Sequence, residues 1–495
     1  MDSSSLSAVL YNPDLLSVIC EELWASIQSS SYGAKPNPLV SLATVCTSVS
    51  ETALDRLWKH IHGFTPLLRV FNARTSRTNN GSSIWTIPIE VPQSKWDRFE
   101  RYAQRVRSMT LDASSGTRDH PSVYLRLMAQ FSNAPLFSSL KRLEVDPSFA
   151  SEPQILFLLS SPNLQEVEII LESIVNNDTL STSVRTAVAG RETFILSGPL
   201  TTHAGYDVAQ SFIDRACPAT FFTGKDLCCL KITSHPATYS FLEELSSSES
   251  LKHLQFIFGT HTLSHSHDIR DGFSVLKTLH VTGDVASMSR VLRLVVPDIL
   301  ESFTFIDNSF VQSYHYACVA MQHFHVELVE RFNLSLHSLS LTYRHWTIGQ
   351  EDWEASRVVF EPLYGLGPPL KALHYSGNLA MDQKLVEEKL VTAWPGIETI
   401  CIPRLAIPPP CDVLPVLAEH CRHLACLTLP IAFPDSATLS PPKIRRHRLR
   451  AFSPTDVPIQ QPACVARYLD RIFPFLTNIE GGKRWDEVER IILHA

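Results

Sequence analysis

Apolar positions down most of this chain fall into a six-residue phrase, apolar-x-x-apolar-x-apolar, that keeps returning. It is clearest at Leu140, Leu143 and Val145, at Leu251, Leu254 and Phe256, at Leu276, Leu279 and Val281, at Leu336, Leu339 and Leu341, and at Leu424, Leu427 and Leu429. Weaker copies start at Val106, Leu164, Leu227, Leu300, Leu370, Ile397, Leu449 and Leu476. The thirteen starts are separated by 34, 24, 63, 24, 25, 24, 36, 34, 27, 27, 25 and 27 residues, and Phe194 with Leu196 divides the widest gap as a degraded copy. Within each phrase the last two apolar positions alternate with polar ones, the period of a strand with one buried face. The stretches between phrases, at 239–251, 285–295, 316–332, 382–394 and 464–472, are apolar at helical spacing instead. Strands alternating with helices in this order predict a parallel sheet with the helices on one side of it.

A different pattern precedes the first phrase. Asn12, Pro13 and Asp14 start a helix with a side-chain cap, a proline in the first turn and an acid near the positive end of the helix dipole. Leu15, Leu16, Ile19 and Leu23 then share a face. A serine-rich break leads to Asn37 and Pro38, which open a second helix with Leu39, Leu42, Val45, Cys46 and Val49 as its apolar face. Ser50 is placed to cap a third helix carrying Ala53, Leu54, Leu57, Trp58 and Ile61. About fifty residues bury too little surface to be secure alone, so this unit is expected to dock on something.

Two resemblances follow. The stretches 12–19, 38–46 and 53–58 resemble an F-box-like domain of the kind found ahead of irregular leucine-rich repeats in fungal families. The repeat interval resembles the irregular type of leucine-rich repeat, with asparagine eight residues after the first leucine only at Asn308 and Asn378. Together they imply an α/β fold: a three-helix module at 11–62, a linker or N-terminal cap at 63–100, and a leucine-rich repeat solenoid at 101–495, a horseshoe with strands on its concave face and helices on its convex face. In that family the module holds the small adaptor Skp and, through it, a cullin. The adaptor-binding residues so implied are Pro13, Leu15, Leu16, Ile19, Leu39, Leu42, Val45, Leu57 and Trp58. The repeats would hold a protein target through variable concave-face positions, with Arg142, Glu144, His253, Gln255, His280, His337 and His374 as candidates. The implied role is the substrate receptor of a Skp-cullin-F-box ubiquitin ligase; the alternative is a repeat scaffold with no link to ubiquitin, its N-terminal helices only capping the array.

Composition narrows the partners. In 495 residues, 43 basic and 50 acidic side chains leave a net charge of −7, too small an imbalance for a field that draws in nucleic acid or membrane. No basic stretch precedes an apolar one at the N-terminus, and no apolar run is long enough to span a bilayer, so cytosol or nucleus is the expected compartment. The eleven cysteines form no Cys-x-x-Cys pair and read as reduced thiols.

Four stretches carry residue types that could do chemistry. His261, His265, His267 and Asp268 offer metal-ligand types but lie in a serine-rich stretch that reads as a solvated loop. His323, His325 and Glu327 lack the spacing of a metalloprotease helix and read as part of a packed or surface helix. Gly365 and Gly367, followed by Pro368 and Pro369, form a turn and not a phosphate loop. The basic run 443–450 is either a solvated loop or a site for nuclear import or for an acidic or phosphorylated partner. No nucleophile elbow is present, and the chain is expected to need no metal or cofactor and to catalyse no reaction.

Overall fold

The computed structural model describes residues 12–29, 38–45, 47–77, 83–111, 117–119, 121–131, 136–145, 161–170, 192–197, 227–258, 272–308, 314–344, 353–377, 379–380, 383–434, 447–455 and 457–493. The histidine-rich stretch 261–268, Asn378 and residues 443–446 of the basic run lie outside them. The chain forms two compact units, Met1–Leu227 and Cys228–Ala495.

The first unit begins with α1 (Pro13–Ser29), α2 (Pro38–Leu42) and α3 (Thr47–Lys59). The Asn12 side chain accepts hydrogen bonds from the backbone N–H groups of Asp14 and Leu15 at 3.0 and 3.2 Å, the cap that the Asn-Pro-Asp order predicts. Cys20, Leu39 and Ala53, one from each helix, close a small core on which Leu23, Leu42, Ala43 and Leu57 pack. Two local expectations need correction. The second helix stops at Leu42, because the chain turns at 43–45, and Val45 is left exposed. The third starts at Thr47, so Ser50 lies inside it, and Ile61 belongs to a strand.

That strand, β1 (His60–His62), opens a parallel sheet one element earlier than the repeat phrase suggests. Residues 63–100, expected as a linker or cap, hold α4 (Thr65–Leu68), a 3-10 turn, β2 (Arg74–Arg77), β3 (Ser83–Thr86) and α5 (Gln93–Ala103). Their core is aromatic: Phe71 sits 4.4 Å from Trp96 and 4.7 Å from Phe99, ring centroid to centroid, and Phe131 joins from the end of α6 (Pro121–Gln130). The parallel sheet continues as β1, β4 (Ser108–Leu111), β6 (Arg142–Val145), β7 (Glu166–Ile170) and β8 (Thr193–Ser197). Thus the degraded copy at Phe194 and Leu196 is a strand in register with its neighbour. A second sheet of β2, β3 and β5 (Thr117–Asp119) has no counterpart in the repeat pattern.

The second unit is more regular. Its main sheet runs β9 (Cys229–Ala237), β10 (His253–Phe258), β11 (Thr278–Gly283), β12 (Ser302–Asp307), β13 (Ser338–Tyr343), β14 (Ala372–Ser376), β16 (Thr399–Cys401), β18 (Cys426–Thr428), β19 (Ala451–Thr455) and β20 (Asn478–Gly481). A two-stranded sheet of β15 (Leu379–Ala380) and β17 (Leu405–Ile407) stands beside it. Every strand pair of the main sheet is parallel and follows sequence order. Nothing closes the sheet, and the result is the stacking of a repeat solenoid: each unit buries its apolar edge on the next.

The register shows why the phrase recurs. Leu254, Leu279, Phe303, Leu339, Leu373, Ile400, Leu427, Phe452 and Ile479 are direct cross-strand neighbours, a continuous buried row. The first apolar residue of every phrase, from Val106 to Leu476, is buried at the bend into its strand. Helices cover this side, beginning with α7 (Tyr239–Leu245) and α8 (Val285–Arg293). Phe324 of α9 (Tyr314–Phe332) packs on Phe303 and Phe305, and Phe360 of α10 (Trp353–Phe360) meets Tyr375 edge-on at 4.9 Å.

After α11 (Val413–His420) and α12 (Pro462–Ile472), the end of the sheet is protected by α13 (Lys483–Leu493), whose Trp485 and Val488 are buried. Glu489 accepts a hydrogen bond from the Ile479 N–H at 3.1 Å, occupying a donor that the last strand presents to no other strand. An open edge invites pairing with another chain. Glu489→Ala is expected to cost about 1 kcal/mol and to make the protein associate as its concentration rises; sedimentation velocity showing an unchanged monomer would refute the second effect.

Candidate functional site

Two surfaces are candidates, one on the N-terminal helices and one on the sheet. On α1, Cys20 points into the small core and Leu16 is buried, while Leu15, Val18 and Ile19 are 46%, 57% and 40% exposed. These three fall at helical spacing on one side, and Val40 and Val45 are exposed as well. Single exposed apolar residues are ordinary, but five large ones within 31 residues of sequence mark a place where water is to be displaced.

The nine residues expected to hold an adaptor therefore divide. Leu15, Ile19 and Val45 are on the surface, Leu16 and Leu39 are buried, and Leu42 and Leu57 pack against the core. Pro13 lies in the first turn of α1. Trp58 stacks on Tyr102 of α5 at 4.4 Å, with the Arg98 guanidinium on the ring of Tyr102 at 5.5 Å. Arg105 reinforces this junction through ion pairs with Glu51 and Asp55 of α3, and these raise its pKa despite the opposing effect of burial. So α3 is fastened to the rest of the first unit, and the exposed strip belongs to α1 and to the α2 region. Val18 and Val40 were missing from the expected set, although Val18 is readable as the partner of Leu15 and Ile19 at helical spacing.

On the sheet, side chains pointing away from the helices form rows across the strands. In the first unit Ser108, Arg142 and Glu166 are cross-strand neighbours, as are Thr110, Glu144 and Glu168. Arg142 reaches Glu168 at 2.9 Å and Glu166 at 3.6 Å, and Thr110 donates to Glu144 at 3.2 Å. Arg142 and Glu144 are thus on the expected face but tied into its own charge network.

The second unit has a different surface. One row reads His253, Thr278, Ser302, Ser338, Ala372, Thr399 and Cys426; the next reads Gln255, His280, Thr304, Ser340, His374, Cys401 and Thr428. From β11 to β18 neither row holds a charged residue. Burial lowers the pKa of His280, helped by the nearby Lys231, and burial alone lowers that of His374. Both imidazoles are therefore neutral at pH 7. His374 Nδ1 lies 3.1 Å from Ser340 Oγ. His337 departs from expectation: it precedes β13, is exposed at the strand entrance, and its Nδ1 lies 2.7 Å from the Ser335 carbonyl. The face joins His253, Gln255, His280 and His374 with Thr304 and Ser340, small side chains that a partner's backbone can approach closely.

Among the described residues no cluster of three His, Cys, Asp or Glu side chains is placed to hold a metal ion. The described cysteines are free thiols, and burial pushes that of Cys421 up to about 11, away from reactivity. Among the described residues no helix is long and apolar enough to cross a membrane.

Fold and surfaces define the class: an α/β repeat protein with an unclosed parallel sheet, exposing one face of that sheet and an apolar strip on its N-terminal helices. No family model and no curated protein matches the chain. Among solved structures it is similar to one described as the crystal structure of the Rad7 and Elc1 complex in yeast, over 72% of this chain and 81% of that one, at 14% identity and a TM-score of 0.36.

Proposed function

We propose that the chain is the target-receptor subunit of a Skp-cullin-F-box type ubiquitin ligase: the N-terminal helices hold the Skp adaptor, and the exposed sheet face holds a protein target. The observation that carries this reading is the strip of Leu15, Val18 and Ile19, exposed on a helix whose opposite side already closes a core. A helix that is apolar on both sides has a second surface to bury. The likeness of these same residues to an F-box-like domain supports an adaptor as the occupant. The leucine-rich repeat reading supports a protein target, because a wide face of small hydrogen-bonding side chains suits an extended protein surface better than a small molecule. The chain itself would perform no bond chemistry; it would act by proximity, raising the local concentration of target lysines near the ubiquitin-loaded enzyme.

The test is capture of a recombinant Skp adaptor by the full chain, compared with Leu15→Asp/Ile19→Asp. Both positions are exposed, so the variant keeps its fold, as circular dichroism will verify, and capture is expected to fall by at least about tenfold. A folded wild-type chain that captures no adaptor, or a variant that captures it equally well, ends the ligase reading. The remaining reading would be an interaction scaffold whose N-terminal helices serve as a cap, which the fastening of α3 to α5 through Trp58 and Arg105 favours.

A further inference from the structure

The residue at the entrance to each parallel strand donates its backbone N–H to the carbonyl of its counterpart one strand earlier, so these residues form a rail along one end of the sheet. In the second unit the rail runs through Lys252, Lys277, Glu301, His337, Lys371 and Glu398 and on to Ala425, Arg450 and Thr477, linked by hydrogen bonds of 2.7–2.9 Å. Two of its lysines are answered by the next residue along, Lys277 by Glu301 at 2.9 Å and Lys371 by Glu398 at 3.2 Å.

In the first unit the rail starts with Lys59, Arg107 and Lys141, joined by bonds of 3.0 and 2.8 Å, with no carboxylate among them. Neighbouring strands lie about 4.8 Å apart, which sets three cations within about 10 Å. Lys59 is 3.7 Å from Glu21. Arg107 and Lys141 are exposed and in no ion pair with a described residue. Arg142, one position further on, is engaged by Glu166 and Glu168 and adds little free charge to the rail. The local field is positive: the pKa of His60 is lowered by burial and then by Lys59, Arg56, Arg142 and His62. Backbone bonds fix the spacing of these like charges, so they cannot separate far to relieve repulsion, and an anion between them removes it.

We propose that Lys59, Arg107 and Lys141 form a docking site for a short acidic segment of a partner polypeptide, whose carboxylates would supply what Glu301 and Glu398 supply to Lys277 and Lys371 on the other unit's rail. Assigning that segment to a ubiquitination target rests on the receptor reading above; the site itself does not. A nucleic acid fits less well, because the cationic run is short and the chain as a whole carries −7.

Fluorescence anisotropy on the full chain tests this, with labelled hexaglutamate, a doubly phosphorylated Ser-Gly peptide of the same length and a single-stranded oligonucleotide, at about 50 and about 200 mM salt. Hexaglutamate is expected to bind, to weaken with salt, and to bind about tenfold or more weakly to Arg107→Glu/Lys141→Glu. Lys252→Glu, a reversal on the other unit's rail, should bind as wild type does. No binding of hexaglutamate, equal binding by the double variant, or preferential binding of the phosphopeptide or of the oligonucleotide overturns the proposal. The double variant should still capture the Skp adaptor, so loss of the receptor reading and loss of this site register in separate measurements.

Discussion

Replacing Trp394 by alanine is expected to destabilise the second unit by about 3–5 kcal/mol, the largest effect of any single truncation considered for this chain. The indole is fully buried, among the largest side chains of the molecule to be so. Its ring lies 5.5 Å from that of Tyr364 and 6.5 Å from that of Phe360, and its Nε1–H donates to the Leu366 carbonyl at 3.2 Å. Alanine removes the rings' partner and leaves the Leu366 carbonyl without its indole donor, in a place where α10 and β14 on one side and the bend into β16 on the other restrict collapse. Cys421 sits behind it, its thiol 4.0 Å from the Trp394 carbonyl. Trp394→Phe keeps much of the contact and loses the hydrogen bond, so about 1–2 kcal/mol is expected for it. Urea unfolding of both variants checks the order and the size; a loss below about 1 kcal/mol for alanine would show that this region is not closely packed.

The second large effect is acid destabilisation centred on His325. This imidazole is fully buried in α9, with Nδ1 2.7 Å from the Val359 carbonyl and Nε2 2.6 Å from the Tyr343 hydroxyl. A carbonyl only accepts, so Nδ1 carries the proton and Nε2 accepts from the Tyr343 O–H. Burial lowers the folded-state pKa from 6.5 to about 4, against a smaller opposing effect of the Val359 bond. The unfolded chain therefore takes up a proton first as pH falls. Stability from this group is fully present above about pH 6.5 and is lost progressively down to about pH 4, by about 3 kcal/mol in all. His325→Phe fills a similar volume without titrating: it is expected to be less stable than wild type at pH 7.5, since the Val359 carbonyl loses its imidazole partner, but to lose less on acidification. Urea midpoints at several pH values in this window compare the two, and parallel pH dependence would rule out His325 as the titrating group.

Much of this architecture is legible in the linear chain because a repeat protein solves the same packing problem at each turn. The buried row from Leu254 to Ile479 needs one large apolar residue per strand at a fixed offset, and the bend before each strand needs another, so spacing alone locates the strands. The α1 cap is equally local, since Asn12 acts on residues two and three positions away. What escaped were features lacking that periodicity. The β1 strand, His60–His62, carries one apolar residue and reads as the tail of a helix until its partner β4 is placed beside it. The aromatic core of residues 63–100 joins Trp96 and Phe99, neighbours on one face of α5, to Phe71 and Phe131, which no shared period links to them.

The candidate sites divide on the same principle. Apolar periodicity in α1 shows that Leu15, Leu16 and Ile19 lie near one another, but exposure depends on where α2 and α3 pack, and that choice buries Leu16 while leaving Leu15 and Ile19 in water. Trp58 is apolar in any reading; only its stack on Tyr102, 44 residues further on, removes it from the free surface. The repeat phrase nominated His337 with His280 and His374, yet register puts it at the strand entrance, on the rail made by the second residue of each phrase and apart from the rows that hold His280 and His374. By itself, then, the sequence determined the repeat, the parallel order of the strands and the sidedness of their core, all set by short-range periodicity and the cost of exposing apolar surface. The tertiary structure alone decided which apolar residues remain on the outside, which polar side chains share a row and which charges stand unanswered, because these depend on neighbours brought together from 20 to 50 residues away, whose positions no local pattern encodes.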